Sequence, residues 1–272
     1  MTTRRPAARG WLRRVRSTAR RGALLGLDAA YTVRGVPREA DAQPGFTVLL
    51  LHNTPPPLLR RLLYFVDHRP GRILGFADAT ATLTGGGPSA PGVALTFDDG
   101  FASNMAAARA LASRGVSACF YLPTDVIGLD DDAVDRFFRR PQAEGAMTWD
   151  DVEELRTLGH VVGSHCKQHL PLADMSLAAA EDQVKGSVDV LRDRLGEVGH
   201  FAWPFGALSH APVEAVRGWC REIDVLPASG VRGRNTPELL QRRGYLSRDA
   251  VDLRWLASDY RVFTSRSHRR LA

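Results

Sequence analysis

Val93-Ala-Leu-Thr-Phe-Asp-Asp-Gly100 runs straight from apolar residues into two adjacent carboxylates and a glycine. Neighbouring Asp side chains repel each other when both ionise, and Asp is depleted from strands. A pair of them at the end of an apolar run needs something to offset its charge, and the usual candidate is a cation. VALTF itself reads as a strand, and NMAAARALASRG after it reads as an Ala-rich helix closed by Gly115.

The same alternation extends in both directions. Upstream, GFTVLLLH is a short β-branched apolar run ending in His52, and NTPPP stops it. LLRRLLYFVDH has helical spacing, GRILGFADATATL reads as a strand followed by a short helix or loop, and GGGPSAPG is a break. Downstream, VSACFYLP is a strand stopped by Pro123. TWDDVEELRTLG is a helix with Thr148 as N-cap and Asp151 in its first turn. HVVGSH is a strand ending in His165, and SLAAAEDQVKGSVDVLRDRLG is a helix capped by Ser176 and ended by Gly196. HFAWPFG is a strand that Pro204 terminates, and APVEAVRGWC and TPELLQRRG are helical. Repeated strand–helix alternation predicts a parallel sheet with helices outside, closed or nearly closed into a barrel. Active groups in such barrels sit at the C-terminal ends of the strands. His52, Asp98, Asp99, His165, His169 and the turn Trp203-Pro204-Phe205-Gly206 all fall at or just after such ends.

Bulk composition narrows the class. With 44% hydrophobic and 24% charged residues, 272 residues suit a soluble globular chain with a sizeable core. Three cysteines, odd in number and widely spaced, argue against a disulfide framework or a Cys-based zinc knuckle. The formal net charge of +6 comes from the ends: residues 1–24 carry eight Arg and no acid, and 261–272 carry four more Arg and no acid. Without the first group the count is 28 basic against 30 acidic residues. A nucleic-acid binder more often carries its charge as a stripe across the fold, so nucleic acid is not an expected partner. The expected organisation is a basic N-terminal arm over 1–44, a barrel over 45–250 and a basic tail over 251–272. Trp11, Leu12, Val15, Leu24 and Leu25 offer the arm anchors for peripheral contact with an anionic membrane or a partner. No clear signal peptide or spanning run is read, so the expected location is cytoplasmic, with the inner face of the membrane as a variant. Composition does not set the oligomeric state.

His165 and His169, four apart in HCKQH, can face one way across a single helical turn. Two His and one carboxylate form a facial triad with open positions, suited to Zn2+ first and to Co2+, Mn2+ or Fe2+ as alternatives. Each signal alone is ambiguous, since two His at this spacing are commonly surface residues and the Asp pair could cap the following helix. Together, at strand ends, they point to a metal centre in which one Asp binds the cation and the other takes a proton from water.

These residues resemble the polysaccharide deacetylase family, the NodB-homology carbohydrate esterases. TFDDG (96–100) matches its first motif, SHCKQH its two-His motif with Cys166 where Ser or Thr is usual, and FAWPFG (201–206) its third. The resemblance spans about 45–246. It implies an α/β fold, a distorted (β/α)7-type barrel, and a metal-dependent hydrolase that removes an N-acetyl group from an amino sugar in a glycan, lipid-linked glycan or glycosylated metabolite. By position, Asp98 is the general base, and Asp99, His165 and His169 hold the metal. The Phe205 backbone N–H helps hold the oxyanion. Apart from the resemblance, the aromatic faces of Trp203 and Phe205, in the turn with Pro204, suit either a sugar subsite or the core at the barrel mouth. The third motif carries Ala202 where many members carry the Arg that orients the base. The C-terminal segment has no match for the strand bearing the family's acid His. TVLLLH has that form, as in the circularly permuted poly-N-acetylglucosamine deacetylase branch, which makes His52 the general acid. The alternatives are the same barrel acting on a non-sugar amide or imide, or a catalytically silent glycan-binding protein. The intact constellation argues against the latter.

Overall fold

A computed structural model describes residues 44–68, 72–85 and 89–256. Residues 1–43 of the arm expected over 1–44 and most of the tail expected over 251–272 lie outside the described residues, as do the arm's membrane anchors. The elements follow in the order β1 (Phe46–Leu51), α1 (Pro56–His68), α2 (Phe76–Thr84), β2 (Gly92–Asp98), α3 (Asn104–Ala112), β3 (Cys119–Leu122), α4 (Asp131–Phe138), α5 (Trp149–Thr157) and β4 (Val161–Ser164). Then come α6 (Leu177–Leu195), β5 (His200–Ala202), α7 (Val213–Glu222), β6 (Leu226–Ala228), β7 (Arg234–Asn235), α8 (Pro237–Arg243) and β8 (Asp249–Ala250).

Strands β1 to β6 lie side by side in sequence order and all pair in parallel. β1 pairs with β2 along its whole length, Phe46 opposite Gly92 through Leu51 opposite Phe97. The sheet curls until its two ends meet the same short stretch. The Leu246 N–H donates to Pro227 O at 2.8 Å, the Ser229 N–H donates to Leu246 O at 2.9 Å, and β8 pairs in parallel with β1. Residues 246–250 thus close a distorted (β/α)-type barrel, as the alternation predicted.

Strand periodicity sorts the side chains into two layers. On β2, Val93, Leu95 and Phe97 join Leu62, Ala107, Leu111, Leu155, Val184 and Leu191 in the core between sheet and helices. Ala94 faces the other way, with Phe46, Val48, Tyr121, Ala202, Ala228 and Leu246 inside the barrel. Thr96 and Asp98 therefore also point inward. Both faces of β2 are buried, which is why its sequence reads as a near-continuous apolar run. Helix α2 puts Phe76, Ala79 and Leu83 into the inner layer, and the Phe76 N–H bonds Ser117 O just before β3. It plugs the end where the strands begin, leaving the opposite end for an open pocket.

Local signals behave as their chemistry dictates. Thr148 and Asp151 form a complete capping box on α5, Ser176 accepts the Ala179 N–H at the start of α6, and Gly196 ends α6 with φ 84°. One expectation is corrected. GRIL forms no strand, only a bridge from Ile73 to Val93. Helix α4 and the short strands β6, β7 and β8 were not anticipated. Past residue 250, Leu253 and Leu256 are buried in the outer core, and the Arg61 guanidinium donates to Arg254 O at 2.7 Å. The folded body reaches Leu256 within the described residues.

Candidate active site

The open end of the barrel holds a pocket of about 490 Å3, lined by His52, Asp98, Asp99, His165, His169 and Phe205 among others. They arrive from the C-terminal ends of four strands, β1, β2, β4 and β5. Asp98 is the last residue of β2, and His165 follows β4 directly. His52 follows β1, and Phe205 sits three residues beyond β5.

The loops that present them are held in costly backbone conformations. Asp99 (φ 76°), Cys166 (φ 66°), His169 (φ 48°) and Phe205 (φ 63°) are all left-handed non-glycine residues. Such residues cost about 1–3 kcal/mol each and persist where surrounding bonds fix them. Here the Met147 N–H bonds Gly100 O, the Thr124 and Asp125 N–H groups bond Cys166 O and Lys167 O, and the Gln168 N–H bonds the Gln183 side chain. Gly206 lies so close to Gly230 that a Cβ there would come within 2.7 Å of its Cα, so this loop closes only with glycine. The geometry also corrects the expectation for HCKQH. His165 and His169 meet through a left-handed turn after β4, not across a helical turn.

The ligating atoms of Asp99, His165 and His169 lie within 4.8 Å of one another. The His165 Nδ1–H donates to Ala202 O at 2.6 Å, which leaves the Nε2 lone pair facing Asp99 Oδ1 at 3.7 Å and Asp98 Oδ2 at 3.8 Å. His169 Nε2 approaches Asp99 Oδ1 to 3.1 Å, an ion-pair distance, yet no hydrogen bond satisfies that buried oxygen. Burial opposes the charge on Asp99, but His169, His52 and His165 more than offset it and hold its carboxyl well below the usual range. Burial pushes His165 down to about 4, against the pull of Asp98, so at neutral pH its imidazole is neutral. A neutral Nε2 lone pair facing carboxylate oxygens is repulsive unless a cation sits among them. An orphaned buried carboxylate oxygen and an imidazole fixed by a backbone carbonyl are what a metal centre needs, and the N,N,O donor set suits zinc or a similar divalent ion.

Asp98 has a separate partner. The Arg248 guanidinium, fully buried, donates to Asp98 Oδ1 at 2.7 Å and to Oδ2 at 3.1 Å. Its Nε–H donates to Ser229 O at 2.9 Å, and its plane lies over the Tyr121 ring at 4.8 Å. Sequence reading left the orientation of Asp98 unassigned because of Ala202. Arg248, delivered by the closing stretch 150 positions away, supplies it. A basic residue just before β8 was the only signal available, and β8 is two residues long.

The remaining expected residues divide. Phe205 is 54% exposed, its ring 5.0 Å from that of His169, and among the described residues no hydrogen bond uses its backbone N–H. Trp203 is wholly buried against Tyr245 and does not line the pocket, and Pro204 is buried in the turn. His52 is exposed at the pocket and makes no hydrogen bond among the described residues. Cys166 is a buried core thiol whose pKa burial raises far above normal.

Asp249, beside Arg248, is buried; its Oδ1 accepts the Gly233 N–H while among the described residues its Oδ2 has no partner. Burial raises its carboxyl to about 6, against the Gly233 bond. A raised carboxyl pKa means that the fold holds the proton more tightly than the unfolded chain does. Stability from this group is complete below about pH 4 and is lost as pH rises through about 6. Asp249→Asn should therefore gain stability over wild type between pH 4 and 7, on the order of 3 kcal/mol. Urea unfolding at pH 4.5 and 7.5 checks this, and an equal difference at both values would contradict it.

Comparison with known proteins fits this geometry. A family model described as polysaccharide deacetylase matches residues 85–219, which include both carboxylates, both site histidines and the third motif. Over that span the chain belongs to the polysaccharide deacetylase family. Similar solved structures agree in fold. IcaB from Ammonifex degensii aligns with a TM-score of 0.65 at 18% identity, covering 82% of this chain and 98% of that one. The Streptococcus pyogenes deacetylase PplD, solved with acetate, gives 0.63 at 16% identity, covering 82% and 99%. The deacetylase domain of BpsB from Bordetella bronchiseptica gives 0.60 at 19% identity, covering 79% and 98%. No curated protein matches the chain. The fold shared with these structures covers more of the chain than the family match does.

Proposed function

We propose that this chain is a metal-dependent deacetylase that removes the acetyl group from an N-acetylated amino sugar. One observation carries the reading: a carboxylate oriented by a buried arginine stands beside a three-residue metal-ligand cluster in an open pocket. The family match supports carbohydrate deacetylation as the chemistry.

Asp99, His165 and His169 would hold a divalent cation, which supplies a Lewis acid for the acetyl carbonyl and makes water more acidic. Asp98, its two oxygens steered by Arg248, takes the proton of the attacking water. The free Phe205 N–H donates to the oxygen that gains charge as the carbonyl carbon becomes tetrahedral. His52 gives a proton to the amide nitrogen as the C–N bond breaks, so the products are acetate and a free amine. The exposed Phe205 ring offers a sugar an apolar face.

Acetate and amine release from N-acetylglucosamine oligomers by the zinc-loaded protein tests the reading. His52→Ala should lower that rate about 10²-fold, within the range for general acid catalysis. With 4-nitrophenyl acetate, whose leaving group needs no proton, the loss should be much smaller. Equal losses on both substrates would remove His52 from the role of acid.

A further inference from the structure

The pocket wall carries two arginines that the deacetylation chemistry does not use. Arg139 and Arg140 follow directly on Phe138, whose ring lies 5.3 Å from that of His169, and both line the pocket. Both are exposed, and among the described residues neither side chain has an ion-pair or hydrogen-bond partner. The pocket's own carboxylates do not need them. Asp98 is matched by Arg248, and Asp99 faces the two histidines. Among the described residues no other acidic residue lines the pocket.

The loop that presents these arginines is built rather than loose. Arg139 ends α4 in a left-handed conformation at φ 55°, with its N–H on Arg136 O, and the Arg140 N–H bonds Asp135 O. The Asp135 side chain also accepts the Gln142 N–H at 2.6 Å. Farther along, Glu144 accepts from the Asn53 side chain at 2.6 Å and from the Ser103 N–H at 3.3 Å. This ties the arginine loop to the residue after His52 and to the loop after the carboxylate pair. Two guanidinium groups held beside a reaction centre with no protein anion to pair them are matched to an anion on the substrate.

We propose that the substrate carries an anionic oxygen group, phosphate or carboxylate, close to the acetamido sugar that is hydrolysed, and that Arg139 and Arg140 bind it. The inference deepens the deacetylase reading and rests on it. Acetate release by the zinc-loaded full chain is compared for three probes: methyl N-acetylglucosaminide, N-acetylglucosamine 1-phosphate, and the methyl glycoside of N-acetylmuramic acid, which bears a carboxylate. At least one anionic probe should exceed the neutral one about tenfold or more in kcat/KM, through KM, as one or two charge-assisted contacts allow. Which of the two does so distinguishes phosphate from carboxylate. In Arg139→Ala/Arg140→Ala, with folding checked by circular dichroism, the ratio should fall to about one. Raising the salt concentration should shrink the wild-type ratio. Equal handling of all three probes, or a preference that survives the double substitution, overturns the proposal. If no probe releases acetate, calorimetric binding of the same three decides it. Arginine-dependent binding of an anionic probe keeps the anion site while removing the deacetylase reading, and binding without arginine dependence removes the anion site.

Discussion

Asp98→Asn should lower kcat for acetate release on the order of 10²–10⁴-fold, the range lost when a positioned general base is removed. The amide cannot take the proton of an attacking water. It also brings an N–H₂ donor to an arginine that offers only donors at 2.7 and 3.1 Å. One of the two contacts must break, so the variant should be less stable than wild type as well as slow. The two effects separate experimentally. Metal content and near-ultraviolet circular dichroism at a temperature well below unfolding should match wild type, because Asp99, His165 and His169 are untouched. Turnover within a few-fold of wild type under those conditions would show that another group takes the proton.

Arg248→Met should be the most damaging substitution away from the metal ligands. The pair is buried on both sides, with side-chain exposures of 0% and 4%. Removing one partner of a buried ion pair leaves an uncompensated charge and typically costs about 3–5 kcal/mol. The Ser229 carbonyl loses its side-chain donor at the same time. Activity should fall as well, since Asp98 loses the two bonds that fix its plane. The double variant Arg248→Met/Asp98→Asn should be more stable than the sum of the single losses allows, because it removes the orphaned charge. A double-mutant cycle in urea measures that coupling. Additive losses would mean that the pair is not an energetic unit and that Arg248 does not position the base.

How far the sequence could be read depended on whether a residue's partners were local. Thr148, Ser176 and Gly196 announce helix ends because a cap is satisfied within three or four residues. The site carboxylates were visible because a strand buried on both faces has no ordinary use for Asp-Asp at its end. His165 and His169 do meet, but not through the helical turn expected, since spacing shows that two side chains can meet but not through which backbone. β6, Leu226-Pro-Ala228, is three residues long and contains a proline, so no period could reveal it. Helix α4 is short, and four of its eight residues are charged. Arg248 was illegible because its meaning lies in a contact across 150 positions, made when 246–250 fits between the ends of the sheet. Trp203 sits within a recognised motif, but the strand's alternation turns it into the core.

The central claim is that Asp99, His165 and His169 hold a metal ion, and it can be tested without any guess about substrate. The measurement is elemental analysis of the purified full chain after dialysis against Zn2+, beside His165→Ala treated identically. About one equivalent of zinc in wild type and little in the variant is the expected result, since the variant removes the only ligand nitrogen locked by the Ala202 carbonyl. Wild type that takes up no zinc, and none of Co2+, Mn2+ or Fe2+ either, would contradict the metal centre and the hydrolytic mechanism built on it.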